Sequence, residues 1–231
     1  AAVAYSKYTN NYSAVMVTTG CGSTNAMTGL LEAWQDNVPV VFLSGQVNSH
    51  QTSLAFNLGL RQVGVQEADI ISIVNPMTKY AKMVQKPCEI KYEIEKALYL
   101  AKEGRPGPVW IDIPLNVSTD KIDVESLKGF DPPKKPVVDI NFKNIALKLS
   151  QSKRPLLIIG NGVRLGNAVD LLRDILEEYK IPVVASVNGA DCVSNEYKYF
   201  GGRFGVIGNI SANKLIHESD LILSLGSRLY V

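Results

Sequence analysis

Short apolar segments that end at glycine or polar residues recur along this chain, and segments with helical periodicity alternate with them. The apolar segments are Ala14–Thr19, Val38–Ser44, Pro108–Ile113, Pro155–Ile159, Ile181–Ser186 and Asp220–Leu225. The helical segments are Asn25–Asp36, Lys86–Ala101, Ile140–Ser150, Asn167–Tyr179 and Ser211–Glu218. Uninterrupted apolar strands that alternate with amphipathic helices are typical of parallel sheets covered on both faces. We therefore predict an α/β fold with doubly wound, Rossmann-like sheets.

A polar, proline-rich stretch separates two such α/β units. Ser, Asp and Lys dominate residues 116–139, and residues 131–136 read DPPKKP. Proline cannot donate to a strand ladder, and a run of prolines is stiff. We predict one domain over residues 1–117, a linker over 118–139 and a second domain over 140–231.

Composition excludes some classes of protein. The chain has 231 residues and 24 basic against 22 acidic side chains, a net charge of +2. This balance argues against an electrostatically driven nucleic-acid binder. No apolar run approaches the roughly 20 residues of a membrane span. The three cysteines, Cys21, Cys88 and Cys192, are too few and too scattered for a disulfide framework. We therefore expect a reducing, cytoplasmic location.

The two ends of the chain predict that it is an internal part of a longer protein. Residues 1–8 read AAVAYSKY, as in the middle of a helix without an N-cap. Residues 229–231 lie just beyond a strand and a glycine turn. We expect both α/β domains to be incomplete.

The first candidate site is the turn between the first strand and the first predicted helix. Gly20, Cys21, Gly22 and Asn25 follow the spacing G-x-G-x-x-N, which differs from the dinucleotide pattern G-x-G-x-x-G. Glycines at such a turn let the backbone approach a ligand. From the motif alone, a ligand site and a plain tight turn are equally good interpretations.

Other glycine-rich turns are weaker candidates. Gly104–Pro108 reads GRPGP and favours a purely structural turn, in which Arg105 alone has a donor fork that reaches a phosphate. Gly160, Gly162 and Arg164 follow one strand of the second unit, and Arg228 follows another. Doubly wound sheets bind ligands at the carboxyl ends of their strands, so a nucleotide crevice and an empty one both remain open there.

The remaining polar residues predict no metal site. His50 and His217 lie far from each other and from any cysteine at ligand spacing. His50 falls in a long polar loop, where a solvated role is simpler than a substrate contact. Residues 66–69 read QEAD and suit proton transfer or, more simply, a solvated helix start with Glu67 or Asp69 near the positive end of the dipole.

The motifs, taken in order, resemble those of thiamine diphosphate-dependent enzymes. Residues 18–29, TTGCGSTNAMTG, are similar to that family's T-S-G-P-G-A-T-N-x-x-T-G segment. Residues 38–47, the pair Gln66 and Glu67, the pair Thr78 and Lys79, and residues 104–114 follow in the family's order. Residues 155–164, 181–184 and 219–228 resemble the family's central domain. The resemblance spans almost the whole chain, and the most similar branch is the acetolactate synthase large subunit.

This resemblance implies a cofactor, a substrate class and partners. Residues 1–117 would be a pyrimidine-binding domain, and residues 140–231 a central domain with a nucleotide-binding fold. Such enzymes use thiamine diphosphate and Mg²⁺ to decarboxylate or join 2-keto acids, and they form homodimers or homotetramers through the pyrimidine domain. The activating glutamate would lie before Ala1 and the magnesium motif beyond Val231. We therefore expect no catalytic residue within this chain, and no activity from it alone.

The resemblance also assigns roles to individual residues. The cofactor side would be formed by Gly20, Cys21, Gly22, Asn25 and Gln46. The substrate side would be formed by Gln66, Val65, Leu115 and His50. The flavin site of those relatives that bind FAD would be formed by Arg105, Gly160, Gly162, Arg164 and Arg228.

Several positions depart from the acetolactate synthase pattern. Cys21 stands at a usual proline, Val65 at a phenylalanine and Leu115 at a lysine, and the segment 48–61 is longer. A related decarboxylase, lyase or carboligase therefore fits equally well. Ile207 stands where FAD-binding relatives often have histidine, which weakens the case for a flavin. A nucleotide-binding or regulatory module without catalysis, and an assembly protein without cofactor, rank behind these enzymes.

Overall fold

A computed structural model describes residues 1–56, 58–135 and 138–229. The chain divides into two compact units, Ala1–Lys135 and Pro136–Val231. Each unit contains a four-stranded sheet in which every strand pair is parallel. The predicted α/β class with two Rossmann-like sheets is confirmed.

The first unit contains four strands and seven α-helices within its described residues. The strands are β1 (Ser13–Val17), β2 (Val40–Gln46), β3 (Tyr80–Met83) and β4 (Val109–Pro114). The helices are α1 (Ala2–Thr9), α2 (Cys21–Asn25), α3 (Met27–Asp36), α4 (Ser53–Phe56), α5 (Ile70–Val74), α6 (Ile90–Lys102) and α7 (Leu115–Ser118). Short 3₁₀ turns lie at Ser49–Gln51, Asn75–Met77, Pro87–Glu89 and Val124–Ser126. The strand order is β1-β2-β4-β3.

Helices cover both faces of this sheet. On one face, α1, α3 and α5 bury apolar side chains such as Leu30 and Val74 against Phe42 and Trp110. The rings of Phe42 and Trp110 stack with centroids 5.0 Å apart. On the other face, α6 packs Ala97 and further side chains against β2 and β4. Because both faces are covered, ligands reach this sheet most easily at its strand ends.

The second unit repeats this arrangement on a smaller scale. Its strands are β5 (Pro155–Ile159), β6 (Val183–Ala185), β7 (Phe200–Arg203) and β8 (Leu221–Leu225), in the order β7-β6-β5-β8. Its helices are α8 (Phe142–Gln151), α9 (Gly162–Leu165), α10 (Val169–Tyr179) and α11 (Ile210–Glu218), with a 3₁₀ turn at Val187–Cys192. Helix α10 packs on one face of the sheet and α11 on the other.

The structure differs from the sequence predictions in four places. The helix predicted over residues 25–36 is two helices, α2 and α3, which meet at Ala26. The edge strands β3 (YAKM) and β7 (FGGR) were not predicted, because neither has an apolar run or a clear alternation. Part of the predicted linker packs on the first unit, where the ring of Phe130 contacts Tyr92 and Tyr99. The compact unit ends at Lys135, and the domain boundaries named above stay a prediction.

Candidate functional site

The carboxyl ends of all four strands meet at one edge of the first sheet. Because β1, β2, β3 and β4 are parallel, the segments that follow them emerge on the same side. Gln46 pairs with Pro114 in the strand register, so Leu115 begins next to the end of β2. The predicted residues gathered at this edge are Gly20, Cys21, Gly22, Asn25, Gln46 and Leu115.

The glycine turn after β1 exposes its backbone and short side chains. Gly20 has φ +60° and precedes α2 without a capping side chain. The hydroxyl of Ser23 donates to the carbonyl of Thr18 at 2.8 Å and closes the turn. A β-carbon on Gly22 would come within 2.6 Å of the Thr18 methyl group. Cys21 and Asn25 remain exposed, so a flat ligand has access to the turn.

A second turn crosses the glycine turn at Gly20. A β-carbon on Gly20 would overlap the carbonyl oxygen of Gln66. Gln66 also has a positive φ, +61°, which is uncommon for a residue other than glycine. The hydroxyl of Thr19 lies 3.5 Å from the same carbonyl oxygen. Gly20 is therefore needed for the crossing of two turns, and Gln66 is held beside the cofactor-side residues.

The side-chain amide of Gln46 ties the segments at this edge together. Its Nε2 donates to the carbonyl of Ala68 at 2.9 Å and to Asp112 Oδ2 at 3.1 Å. Its Oε1 accepts from the Thr19 hydroxyl at 2.9 Å and from the Val47 amide at 3.1 Å. A glutamine amide has two donors and two acceptor lone pairs, so the buried Gln46 side chain uses its full capacity inside the protein. Its contribution to the site is to hold the turn in place.

Asp112 belongs to the candidate site and was not predicted from the sequence. The side chain lies on β4 at 1% exposure, and its two oxygens accept from Ser44 and Gln46. Burial raises the pKa of Asp112 to about 6, although both hydrogen bonds act in the opposite direction. The signal was a carboxylate inside an apolar strand, PVWIDIP, since buried carboxylates need partners.

The loop between β2 and α5 is organised by Glu67. One carboxylate oxygen accepts from the Ser53 amide and hydroxyl, at 2.5 and 2.6 Å. The other accepts from the amides of Val63 and Gly64, at 2.8 and 3.1 Å. Partial burial alone would raise the pKa of Glu67, but these hydrogen bonds lower it. Glu67 is therefore a structural residue of the loop, whereas Asp69 caps α5 as a helix-start residue does.

The predicted substrate-side residues lie on the loops around this edge. Val65 is 82% exposed and precedes Gln66. Leu115 is 53% exposed at the start of α7. His50 is exposed on the 3₁₀ turn Ser49–Gln51, and the amide of Ser49 donates to Asn116 Oδ1 at 2.8 Å. This bond ties the His50 turn to the helix that begins at Leu115.

A cavity of about 300 Å³ is lined in part by Gln46 and Asp112. Side chains from three further segments complete its polar lining, namely Thr52, Glu67, Asp69, Ser72, Lys82 and Gln85. Apolar side chains such as Leu54, Ile70 and Met83 line the remainder. Asp112 therefore borders a partly polar space and is not surrounded by the apolar core alone.

Two glycine-tipped strand ends also meet in the second unit, but their backbone groups bond to each other. Strands β5 and β8 are neighbours, with Ile159 paired to Leu225. The Gly160 amide donates to the Leu225 carbonyl and the Gly162 amide to the Gly226 carbonyl, both at 2.9 Å. A β-carbon on Gly160 would overlap the Gly226 carbonyl oxygen. These glycines are required for close packing between the turns.

The predicted cationic residues of a nucleotide site lie in both units, and each is described within its own unit. Arg164 forms an ion pair with Asp191 at 2.6 Å. Arg228 is exposed after β8. Arg105 lies before β4, at the opposite edge of the first sheet from the glycine turn, and its Nε donates to Asn37 Oδ1. The two glycine amides and Arg164 are thus already bonded within the second unit.

The described residues contain neither a metal-ligand cluster nor a membrane-spanning helix. Within residues 1–56, 58–135 and 138–229, no group of three His, Cys, Asp or Glu side chains is arranged to hold a metal ion. None of the helices described is long and apolar enough to cross a membrane. Cys21, Cys88 and Cys192 are all free thiols.

Two protein-family models match the chain, one on each unit. Residues 1–73 match the N-terminal TPP binding domain of thiamine pyrophosphate enzymes, where TPP is another name for thiamine diphosphate. Residues 142–231 match the central domain of the same enzymes. The first match contains the glycine turn, Gln46 and Gln66. The chain belongs to the thiamine pyrophosphate enzyme family.

Among curated proteins of that family, the chain is similar in sequence to acetolactate synthase large subunits. The chain is 34% identical over 228 residues to the acetolactate synthase large subunit of Lactococcus lactis, covering 97% of this chain and 38% of that protein. It is 35% identical over 235 residues to the Haemophilus influenzae large subunit, with 97% and 39% covered. The Porphyra purpurea large subunit is 32% identical over 237 residues, with 99% and 38% covered. The chain thus spans somewhat more than a third of the length of these relatives.

Proposed function

We propose that this chain is the pyrimidine-binding and central part of a thiamine diphosphate enzyme that breaks or forms a carbon–carbon bond at the carbonyl of a 2-keto acid. The observation that carries the proposal is the order of the two family matches on one chain, with the glycine turn at a sheet edge inside the first match. Relatives named acetolactate synthase support the substrate class.

The residues at the glycine turn fit one end of the cofactor. The aminopyrimidine is a flat heterocycle, and the exposed turn from Cys21 to Asn25 lets backbone groups approach it. Thr19 and Gln46 hold this turn from behind, and Gln66 crosses it at Gly20. When bound, thiamine diphosphate supplies a nucleophilic carbon and an electron sink for loss of a carboxylate. This chain would bind and orient the pyrimidine end, and Mg²⁺ would be held with the diphosphate by other residues.

Two of the four residues proposed for the substrate side, Val65 and Leu115, are apolar. Val65 and Leu115 are both exposed at the sheet edge that carries the turn. An apolar wall tolerates the side chain of a 2-keto acid, whereas a cation there would select for an acidic substrate. We therefore propose a 2-keto acid with a short apolar side chain, and His50 on the adjoining turn as a contact at the mouth.

The loops around the site support assembly into a homodimer or homotetramer. Leu54, Leu58, Leu60 and Val65 are each about half exposed or more on the segment that Glu67 organises. Clustered apolar side chains on a surface commonly mark a contact with another protein. A flavin is not part of the proposal, because the Gly160 and Gly162 amides are already bonded. The three free thiols suit a cytoplasmic enzyme.

The test is to express the complete reading frame that contains these residues and assay it with thiamine diphosphate, Mg²⁺ and a series of 2-keto acids. We expect cofactor-dependent decarboxylation by the full product and none by residues 1–231 alone. A full product that binds no thiamine diphosphate would overturn the proposal. Calorimetry with FAD, NAD and ADP tests the nucleotide-module alternative, which tight binding of any of the three to this chain would favour.

A further inference from the structure

The carboxylate of Asp112 contacts both Ser44 and Gln46 on the neighbouring strand β2. Its Oδ1 accepts from the Ser44 hydroxyl at 2.5 Å, and its Oδ2 accepts from Gln46 Nε2 at 3.1 Å. Ser44 in turn accepts from the indole Nε1 of Trp110 at 2.8 Å. A continuous chain of side-chain hydrogen bonds therefore runs from the buried core, through Asp112 and Gln46, to Thr19 beside the glycine turn.

Three groups fix the orientation of the Gln46 amide: the Ala68 carbonyl and Asp112 Oδ2 accept from Nε2, and the Val47 amide donates to Oε1. If the amide were rotated by half a turn, Oε1 would face the Asp112 carboxylate and Nε2 would face the Val47 amide. Two acceptors would then face each other, and so would two donors. A bond from a neutral donor to a charged carboxylate is also roughly twice as strong as a neutral pair. The ionised Asp112 therefore strengthens the orientation that Ala68 and Val47 also favour, in which Gln46 accepts from Thr19.

We propose that Asp112 is a proton-responsive positioning residue, which holds the glycine turn through Gln46 when it is ionised and loosens the turn when it takes up a proton. The hydrogen bonds that link Trp110, Ser44, Asp112, Gln46 and Thr19 are present in the structure. Their consequence for cofactor binding rests on the proposed function.

Proton uptake by Asp112 weakens or reverses its hydrogen bonds in a definite way. A protonated carboxyl must donate one hydrogen bond, and the Gln46 amide nitrogen cannot accept it. The Ser44 hydroxyl can, so the proton belongs on Oδ1, and Ser44 must give up its own donation to Asp112. The Gln46 bond to Oδ2 then becomes a neutral pair and weakens. Trp110 donates to Ser44, and Thr19 donates to Gln46. Each is therefore hydrogen-bonded directly to a side chain whose bond to Asp112 changes.

Burial and one nearby carboxylate both favour the protonated form of Asp112. Asp112 borders the cavity described above, together with Asp69 at the start of α5, Glu67 on the preceding loop and Lys82 on β3. Burial is the main cause of the raised pKa of Asp112, and the nearby charge of Asp69 adds to it.

The chain offers a spectroscopic test, because it contains two tryptophans. Trp110 reports on Ser44 and Asp112, whereas Trp34, 39% exposed on α3, is an internal control. In ¹⁵N–¹H NMR spectra recorded from pH 4.5 to 7.5, we expect the Trp110 indole signal and the backbone amides of Cys21 and Gly22 to shift with one shared midpoint. The Trp34 signal should not follow that midpoint.

Matched variants separate Asp112 from its neighbours. Asp112→Asn should abolish the shared transition, and Asp69→Asn should lower its midpoint. Ser44→Ala should remove the transition at Trp110 but keep it at Cys21 and Gly22. His50→Gln, which removes the imidazole at this edge, should change neither the Trp110 signal's transition nor that of Cys21 and Gly22. Ser44→Ala keeps the proposal testable if Asp112→Asn does not fold.

Three results would overturn the proposal. Turn amides that do not titrate with Trp110 would mean that Asp112 does not reach the turn. A transition that survives in Asp112→Asn would assign it to another group, and one that His50→Gln abolishes would assign it to His50.

In the complete reading-frame product, thiamine diphosphate affinity should weaken several-fold from pH 7 to pH 5, and Asp112→Asn should remove that dependence. A product that binds no thiamine diphosphate at any pH overturns the proposed function, while the NMR result still decides the role of Asp112.

Discussion

The carbonyl oxygen of Gln66 occupies the space that a β-carbon on Gly20 would need. Both residues have φ near +60°, so two turns from distant parts of the chain cross with their backbones in direct contact. Glycine adopts this conformation without a steric penalty, whereas other residues incur one. The crossing places Gln66 and Val65 against the turn that carries Cys21, which is why the cofactor-side and substrate-side residues of the proposed site are neighbours.

Gly20→Ala should therefore disrupt the first unit. The new methyl group would overlap the Gln66 carbonyl, and alanine is strained at positive φ. We expect a loss of at least about 2 kcal/mol in the free energy of unfolding, measured by chemical denaturation. Gly45→Ala is the matched control, because a β-carbon on Gly45 meets nothing within 4 Å. Equal stability of the two variants would contradict the close contact between Gly20 and the Gln66 carbonyl.

Asp112→Asn should make the protein more stable at neutral pH. The pKa of Asp112 is about 6 in the folded protein and 3.8 ordinarily, so the folded state binds the proton more tightly. Stability from this group is fully present below pH 3.8 and is lost as pH rises through about 6, a change of about 3 kcal/mol. Asparagine resembles the protonated form and should remove that loss. Denaturation at pH 4 and pH 7 measures it, and a variant less stable than the parent at pH 7 would contradict this reasoning.

Glu67→Gln should open the loop between β2 and α5. The neutral side chain loses charge-assisted bonds to Ser53, Val63 and Gly64, each of which holds part of the loop. Because hydrogen bonding lowers the pKa of Glu67, the parent loop should also open as pH falls below the ordinary value of 4.5. We expect trypsin to cleave after the exposed Arg61 roughly tenfold faster in the variant at pH 7.

The control for the loop experiment is Glu125→Gln. Glu125 is an exposed carboxylate on the 3₁₀ turn Val124–Ser126 of the same unit. Its replacement should leave cleavage after Arg61 unchanged. Equal cleavage of the parent and Glu67→Gln would mean that the Glu67 bonds do not restrain the loop.

Gly160→Ala should destabilise the second unit without any ligand present. Its methyl group would overlap the Gly226 carbonyl, and both neighbouring turns are held by backbone bonds at 2.9 Å. We expect a loss of about 2 kcal/mol or more in unfolding free energy. Gly29→Ala, on α3 with open space around it, should instead be neutral or stabilising. If Gly160→Ala had normal stability but lost nucleotide binding, the turn at Gly160 would be a ligand site and not only a packing contact.

The strands were predictable where the chain is locally distinctive. Six apolar segments bounded by glycine, proline or polar residues became strands, with ends that coincide or are displaced by at most two residues. β3 and β7 were not found, because YAKM and FGGR become strands only by pairing with β4 and β6. The helix break at Ala26 likewise has no local signal, since residues 25–36 keep a helical pattern throughout.

The site was predictable in its parts but not in its connections. Gly20, Gln46 and Gln66 were singled out from glycine spacing and from the family resemblance. No feature of the sequence indicated that the Gln46 amide is fully bonded, or that Asp112 supports it. Those bonds join Gln46 to residues 22, 27 and 66 positions away.

The local pattern of apolar residues and glycines was enough to determine two parallel α/β sheets with ligand-accessible strand ends. Only the tertiary structure decided which polar groups meet there. The order β1-β2-β4-β3 brings Asp112 beside Ser44 and Gln46, and it brings the Gln66 carbonyl over Gly20. Burial of a carboxylate, and competition among donors for its two oxygens, depend on neighbours from distant segments, so neither can be read from the residues around Asp112 alone.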